Sequence, residues 1–198
     1  MAIEPADHRA PPAPPSPDAV GALLRGRRSI ARFRPEPVPR ERVLDALEAA
    51  CWAPNHHLTE PWRFRLLGPQ AQAAIVELNA ELVTAKAGPA AGAAKRERWA
   101  AIPGWLLVTC ERSSDPLRAE EDYAACACAV QNFALHLWSA GVGTKWTTGE
   151  VTRDPRFHDL VWMDPEAERV VGLVWYGYPD ESPDSTRRPL ESVLVELP

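Results

Sequence analysis

Missing from this sequence is any pair of cysteines spaced for a metal or a redox disulfide. Only four cysteines occur in 198 residues, and none form a Cys-x-x-Cys pair. Cys126 and Cys128 stand two apart on an expected helix and so point in different directions, while Cys51 and Cys110 stand alone among apolar neighbours. A disulfide framework and the common zinc patterns are thereby excluded, and four reduced core thiols in a cytoplasmic protein are expected. Positive charge is also short. With 22 Lys+Arg against 27 Asp+Glu the net charge is −5, which argues against a nucleic-acid partner. There is no internal repeat. Tyr123–Thr144 has no acidic or basic side chain, but it carries Gln131, Asn132, His136 and Ser139 among many small residues. That pattern suits the buried centre of a folded domain better than a membrane span. Met1–Pro17 is polar and proline-rich, unlike a secretory leader, and is expected to be a disordered arm (residues 1–17) ahead of a single domain over residues 18–198.

What is present reads as intermixed helices and strands. Ser16-Pro17-Asp18 starts a helix that Gly26 ends. After a loop rich in arginine and proline, Val43, Leu44, Leu47, Ala50 and Cys51 recur at helical spacing, and Ala53-Pro54 stops that helix. Trp62, Phe64 and Leu66 alternate with Arg63 and Arg65, the mark of a strand with two unlike faces. A helix over 70–86, a mobile loop over 88–94 and a short helix over 96–101 follow. Trp105–Cys110 reads as a buried strand, and 120–140 as a long central helix. Strands over 144–148 and 170–178 flank a short helix over 155–161, and Val193–Leu197 closes the chain as an apolar segment. The helices are too unequal for a βαβ rhythm. The expected class is α+β, a central mixed or antiparallel sheet sandwiched by helices.

Four stretches carry chemistry. Arg27-Arg28-Ser29-Ile30-Ala31-Arg32-Phe33 concentrates guanidinium groups, which bind phosphate through forked, charge-assisted hydrogen bonds, beside a hydroxyl donor. Trp52-Ala53-Pro54-Asn55-His56-His57 closes a helix and leads through Glu60-Pro61-Trp62 into a strand, presenting indole, amide and imidazole groups at an element's end. No metal is expected there, because adjacent histidines diverge and no carboxylate or cysteine lies at ligand spacing. Gly141-Val142-Gly143-Thr144-Lys145-Trp146-Thr147-Thr148-Gly149 follows a helix and lacks the third glycine of a dinucleotide turn, so it is not one. Thr186-Arg187-Arg188-Pro189-Leu190-Glu191 adds two more arginines in a polar tail loop.

In this order the pieces resemble the nitroreductase family, in its compact single-domain branch, from about residue 20 to the C-terminus. The resemblance implies a homodimer that binds FMN at the subunit interface, with the long central helix packed against its twin. Arg27, Arg28 and Ser29 match the family's phosphate and ribityl contacts, and Arg32 its next recurrent arginine. Trp52 and His56 match residues that approach the flavin; Trp146, Thr147 and Thr148 match a second flavin-contacting turn; Arg188 matches a tail arginine that reaches the phosphate. Leu58 and Glu60 depart from the asparagine and glutamine common before Pro-Trp. The implied activity takes hydride from NADH or NADPH and reduces nitroaromatics, quinones or similar electrophiles by a ping-pong mechanism. Flavin N5 carries the hydride, so no side chain is assigned a catalytic role. His136 reads as a satisfied core histidine. Other flavin chemistry (dehalogenation, flavin breakdown) and a non-catalytic flavin-binding or sensing role are the competing readings. Neither a membrane nor a nucleic acid is an expected partner.

Overall fold

A computed structural model describes residues 13–198, and the greater part of the expected arm lies outside the described residues. Residues 13–16 carry no regular element; Ser16 caps the first helix, its Oγ accepting the Ala19 N–H at 3.2 Å, with Pro17 in the first turn. In chain order the elements are α1 (Pro17–Gly26), α2 (Arg40–Cys51), β1 (Trp62–Leu66), α3 (Pro69–Ala87), α4 (Pro89–Ala100), β2 (Gly104–Glu111), α5 (Pro116–Ser139), β3 (Gly143–Thr147), α6 (Pro155–Leu160) and β4 (Glu168–Gly177). The strands form one antiparallel sheet in the order β1-β2-β4-β3. The α+β sandwich expected from the sequence is the fold observed.

Alternation along the strands sorts residues into two cores. On one face Leu106, Val108, Cys110 and Val174 pack with Val43, Ala46 and Ala50 of α2 and with Cys126, Ala129, Phe133 and Leu137 of α5. On the other, Trp105, Leu107, Leu173 and Trp175 pack beneath α3, α4 and α6, where Ile75, Trp99 and Phe157 meet them. The β2 strand is buried at seven of its eight positions, as its unbroken apolar run requires when both faces are covered. Asp115 sets the start of α5: its carboxylate accepts the Leu117 N–H at 3.0 Å, with Pro116 in the first turn. No helix among the described residues is long and apolar enough to cross a membrane.

Three expectations need correction. The stretch expected as a mobile loop over 88–94 is the first half of α4, which folds back on α3 as a helical hairpin. Gly88 turns the corner at φ 88°, and alanine, the best helix former, continues the helix from Pro89. Gly92 lets the helices touch, since a Cβ there would lie 1.8 Å from Thr84 Oγ1 and 2.9 Å from the Ala80 carbonyl oxygen. Secondly, Cys51 is exposed rather than a core thiol, although Cys110 and Cys126 are buried. Finally, His136 is not satisfied: its Nδ1 is buried without a hydrogen-bond partner.

Candidate functional site

The arginine loop is held to the sheet by one apolar residue. Ile30 is fully buried, and its N–H donates to the Thr144 carbonyl at 2.9 Å, while Ser29 pairs with Thr144 in a parallel bridge at the free edge of β3. Farther along, Phe33 bridges Pro179 and the Arg34 N–H donates to the Tyr178 carbonyl. With Ile30 inward, the extended chain turns Ser29 and Ala31 to the opposite side.

Arg27, Ser29, Thr144 and Trp146 line a small cavity of about 100 Å³ closed by Gln131 and Ala134 of α5. The Arg27 Nε is buried there without a hydrogen-bond partner. Burial, and then the charges of Arg187 and Arg28, push the Arg27 guanidinium below its ordinary pKa. A penalised cation with an orphaned donor is the condition that a bound anion relieves. Trp146 lines the cavity. Its Nε1 donates to the Val171 carbonyl at 3.0 Å, and the indole occupies the space over Gly172, where a Cβ would sit 2.1 Å from Nε1. Beyond it, Thr147 is half-buried and Thr148 exposed at the end of β3.

Two of the expected arginines are otherwise engaged. Arg28 donates from Nε to the Pro183 carbonyl at 3.0 Å, and from Nη1 to the Arg25, Gly26 and Arg27 carbonyls, bracing the end of α1 against the tail. Arg32 faces away from the cavity and pairs with Glu181 at 3.3 Å. Glu181 also accepts the Ala31 and Arg32 N–H groups; these amides, Ala31 first, hold its carboxyl below the ordinary range. Arg188 is exposed, and it is its neighbour Arg187 whose charge is felt at Arg27. Sequence reasoning missed Arg187 and Gln131. Nothing distinguishes Arg187 from Arg188 locally, whereas Gln131 is visible as a polar residue in the uncharged stretch Tyr123–Thr144.

The Trp52–Glu60 segment is a separate feature. Trp52 is 80% exposed, and His56 and His57 are exposed on a short 3₁₀ turn, His56–Leu58. Three non-glycine residues take left-handed backbone here: His57 (φ 63°), Leu58 (φ 51°) and Glu60 (φ 45°). Asn55 holds the strained loop from inside, its Oδ1 accepting the Glu60 N–H at 2.6 Å and its Nδ2 donating to Thr59 Oγ1 at 3.1 Å. The left-handed turn at His57 also brings its ring to 3.8 Å from that of His56, centroid to centroid. Ligand atoms of His56, His57 and Glu121 lie within 4.8 Å of one another, so the expectation of diverging histidines without a carboxylate neighbour is corrected.

Within one chain Thr59 meets α5 at Asp122, whereas the arginine cavity meets it at Gln131, about 14 Å farther along at 1.5 Å per residue.

A four-stranded antiparallel sheet between helical layers is the architecture of nitroreductase-like proteins. A nitroreductase-like family protein of Bacillus cereus superposes with TM-score 0.80 at 27% identity, over 95% of this chain and 99% of its own. A Desulfovibrio desulfuricans structure solved with FMN superposes with TM-score 0.73 at 26% identity, over 93% and 99% of the two chains. YfhC of Bacillus subtilis, which bears an NAD(P)H nitroreductase name, is 32% identical over 88% of this chain and 92% of its own. The model of the nitroreductase family matches residues 24–178, and the chain belongs to that family.

Proposed function

We propose that this chain is an FMN-dependent oxidoreductase that takes hydride from NADH or NADPH and reduces nitroaromatics, quinones or similar electrophiles. The observation that carries the reading is the buried, unpartnered Nε of Arg27 in a cavity that also holds Ser29 and Trp146. Family membership and the FMN-bound relative at 26% identity support it.

The donor set fits a flavin mononucleotide. Arg27, with the charge of Arg187 nearby, would hold the phosphate; Ser29 would donate to the ribityl chain; Trp146, Thr147 and Thr148 would line the ring. Bound there, FMN would supply two-electron chemistry at N5. This chain's residues then bind, orient and shield, and no side chain serves as nucleophile. Donor and acceptor would alternate in one cleft, a ping-pong order.

The site is completed by a second copy of the chain in this reading. The outer stripe of α5, Ala124, Gln131, Leu135 and Trp138, carries no charge, and Val193, Leu194, Val195 and Leu197 of the tail stand exposed. A homodimer would cover both and bring Trp52 and His56 of the partner subunit over the cavity. Residues 18–198 would act as one domain, in the cytoplasm.

The test is anaerobic. Protein purified with FMN should be yellow with about one flavin per chain, bleach on adding NADH or NADPH, and recolour on adding a quinone. Protein that stays colourless and cannot be loaded with FMN would overturn the reading. Bleaching without recolouring by any acceptor would leave a flavin-binding protein.

A further inference from the structure

Next to Val171, which anchors the Trp146 indole, lies a larger cleft of about 490 Å³. Its wall includes Thr148, and it reaches Val171, whose carbonyl accepts the Trp146 indole N–H. Arg112 from the end of β2, Arg169 from the start of β4, Arg153 and His158 line it.

Two of these arginines are fixed in place. Arg169 lies with Cζ 4.3 Å above the Tyr123 ring and donates from Nη2 to the Ala119 carbonyl at 2.7 Å. Arg112 donates from Nε to the Pro165 and Glu168 carbonyls at 2.8 and 3.1 Å. Carbonyl oxygens orient both groups without neutralising their charge. Arg153 has no hydrogen-bond or ion-pair partner among the described residues. The one carboxylate in the cleft's lining, Glu168, is already paired. Glu168 is held bidentately by Arg65 at 2.7 and 2.8 Å, and Asp154 is held by Arg156 at 2.9 Å. The cleft's lining therefore holds three guanidinium groups against one carboxylate that Arg65 already holds, and it opens next to the turn that ends in Thr148.

We infer that this cleft binds an oxyanion-bearing part of the substrate, so that Arg112, Arg153 and Arg169 make the enzyme prefer anionic substrates over uncharged ones of the same reactivity. The inference rests on the flavin reading above. Two sources supply such a group: the phosphates of the reduced dinucleotide, and a carboxylate on the acceptor. Forked guanidinium contacts suit either.

The experiment uses the FMN-loaded full chain and its Arg153→Ala and Arg153→Glu variants. One arm compares NADPH with 1-benzyl-1,4-dihydronicotinamide, a hydride donor without phosphates. The other compares 4-nitrobenzoate with nitrobenzene. The preference for the charged member, read as a ratio of kcat/KM values, should fall about tenfold in Arg153→Ala, the loss of a charge-assisted contact, and farther in Arg153→Glu. Added salt should erode the same preference in the unaltered protein. Loss in the donor arm alone assigns the cleft to the dinucleotide phosphates, and loss in the acceptor arm alone assigns it to a substrate carboxylate. Ratios that stay put in both arms overturn the inference. FMN affinity, measured by titrating apo-protein, separates the two readings: failure to bind FMN counts against the flavin assignment, whereas normal FMN binding with unmoved ratios counts against the cleft alone.

Discussion

Thr59 donates a hydrogen bond from Oγ1 to the Asp122 carboxylate at 2.5 Å, tying the strained loop before β1 to the buried face of α5. Asp122 is 4% exposed and is one of few polar residues in that core. Its replacement by alanine should release Thr59, and with it the Asn55 bonds that hold His57, Leu58 and Glu60 left-handed. Urea unfolding should show a loss of about 1–3 kcal/mol, the cost of breaking a buried bond to a charged group. Asp122→Asn keeps an acceptor and should recover most of that loss. Equal losses in the two variants would show that the charge, not the tie, matters.

Arg27 and Arg28 should respond differently to alanine. Arg27→Ala removes a phosphate donor, so FMN affinity should fall on the order of 10- to 100-fold, while riboflavin, which lacks the phosphate, changes little. Arg28→Ala removes the brace on four carbonyls and should lower stability, weakening both ligands together. Arg32→Ala breaks only an exposed pair and should leave FMN affinity near that of the parent. Fluorescence titrations of the apo-proteins at fixed salt read all three.

The acid limb of stability should depend on Glu168. Its pairing with Arg65 holds the carboxyl below its ordinary pKa, with the Thr109 hydroxyl assisting against burial. Folding lowers this pKa, so the stabilisation is fully present above the unfolded carboxylate range, near pH 4.3, and is lost as pH falls through the lower folded value. Glu168→Gln should therefore cost most at neutral pH, and the difference from the parent should shrink towards pH 3. A difference constant with pH would show that the pair contributes through packing alone.

Gly92 tests the α3–α4 hairpin. The nearest obstacle to a side chain is the Thr84 hydroxyl, which can rotate, but the Ala80 carbonyl cannot. Gly92→Val should cost about 1–3 kcal/mol by overpacking, read in thermal unfolding. Gly88 lies in open space but at φ 88°, so Gly88→Ala should also destabilise, through the backbone rather than through contact.

Periodicity made most of the framework legible. The unbroken run of β2 and the alternation about Phe64 state their own burial, and the helical spacing from Val43 to Ala50 lays α2 on the sheet, although Leu44 and Cys51 stand exposed. Residues 88–94 did not, because small residues give no apolar stripe and the hairpin is held by backbone approach instead. Of the residues expected at the flavin, Arg27, Ser29 and Trp146 line one cavity. The site was not legible where direction decides. Ile30 turning inward sends Arg32 to Glu181, a left-handed His57 folds two adjacent imidazoles together, and the tail's path brings the charge of Arg187 to Arg27.

The distance along α5 between the Trp52–Glu60 loop and the Arg27 cavity has a genetic consequence. In the homodimer proposed above a site drawing on both is assembled from two copies, so damage to one part and damage to the other complement when two defective chains are expressed together. Arg27→Ala homodimers would lack the phosphate donor in both sites, and Trp52→Ala, His56→Ala homodimers the covering loop in both. A mixed pair, however, regenerates one whole site and concentrates both lesions in the other. Random pairing of equal amounts makes half the dimers mixed, so activity should return to roughly a quarter of the parent's from two inactive alleles.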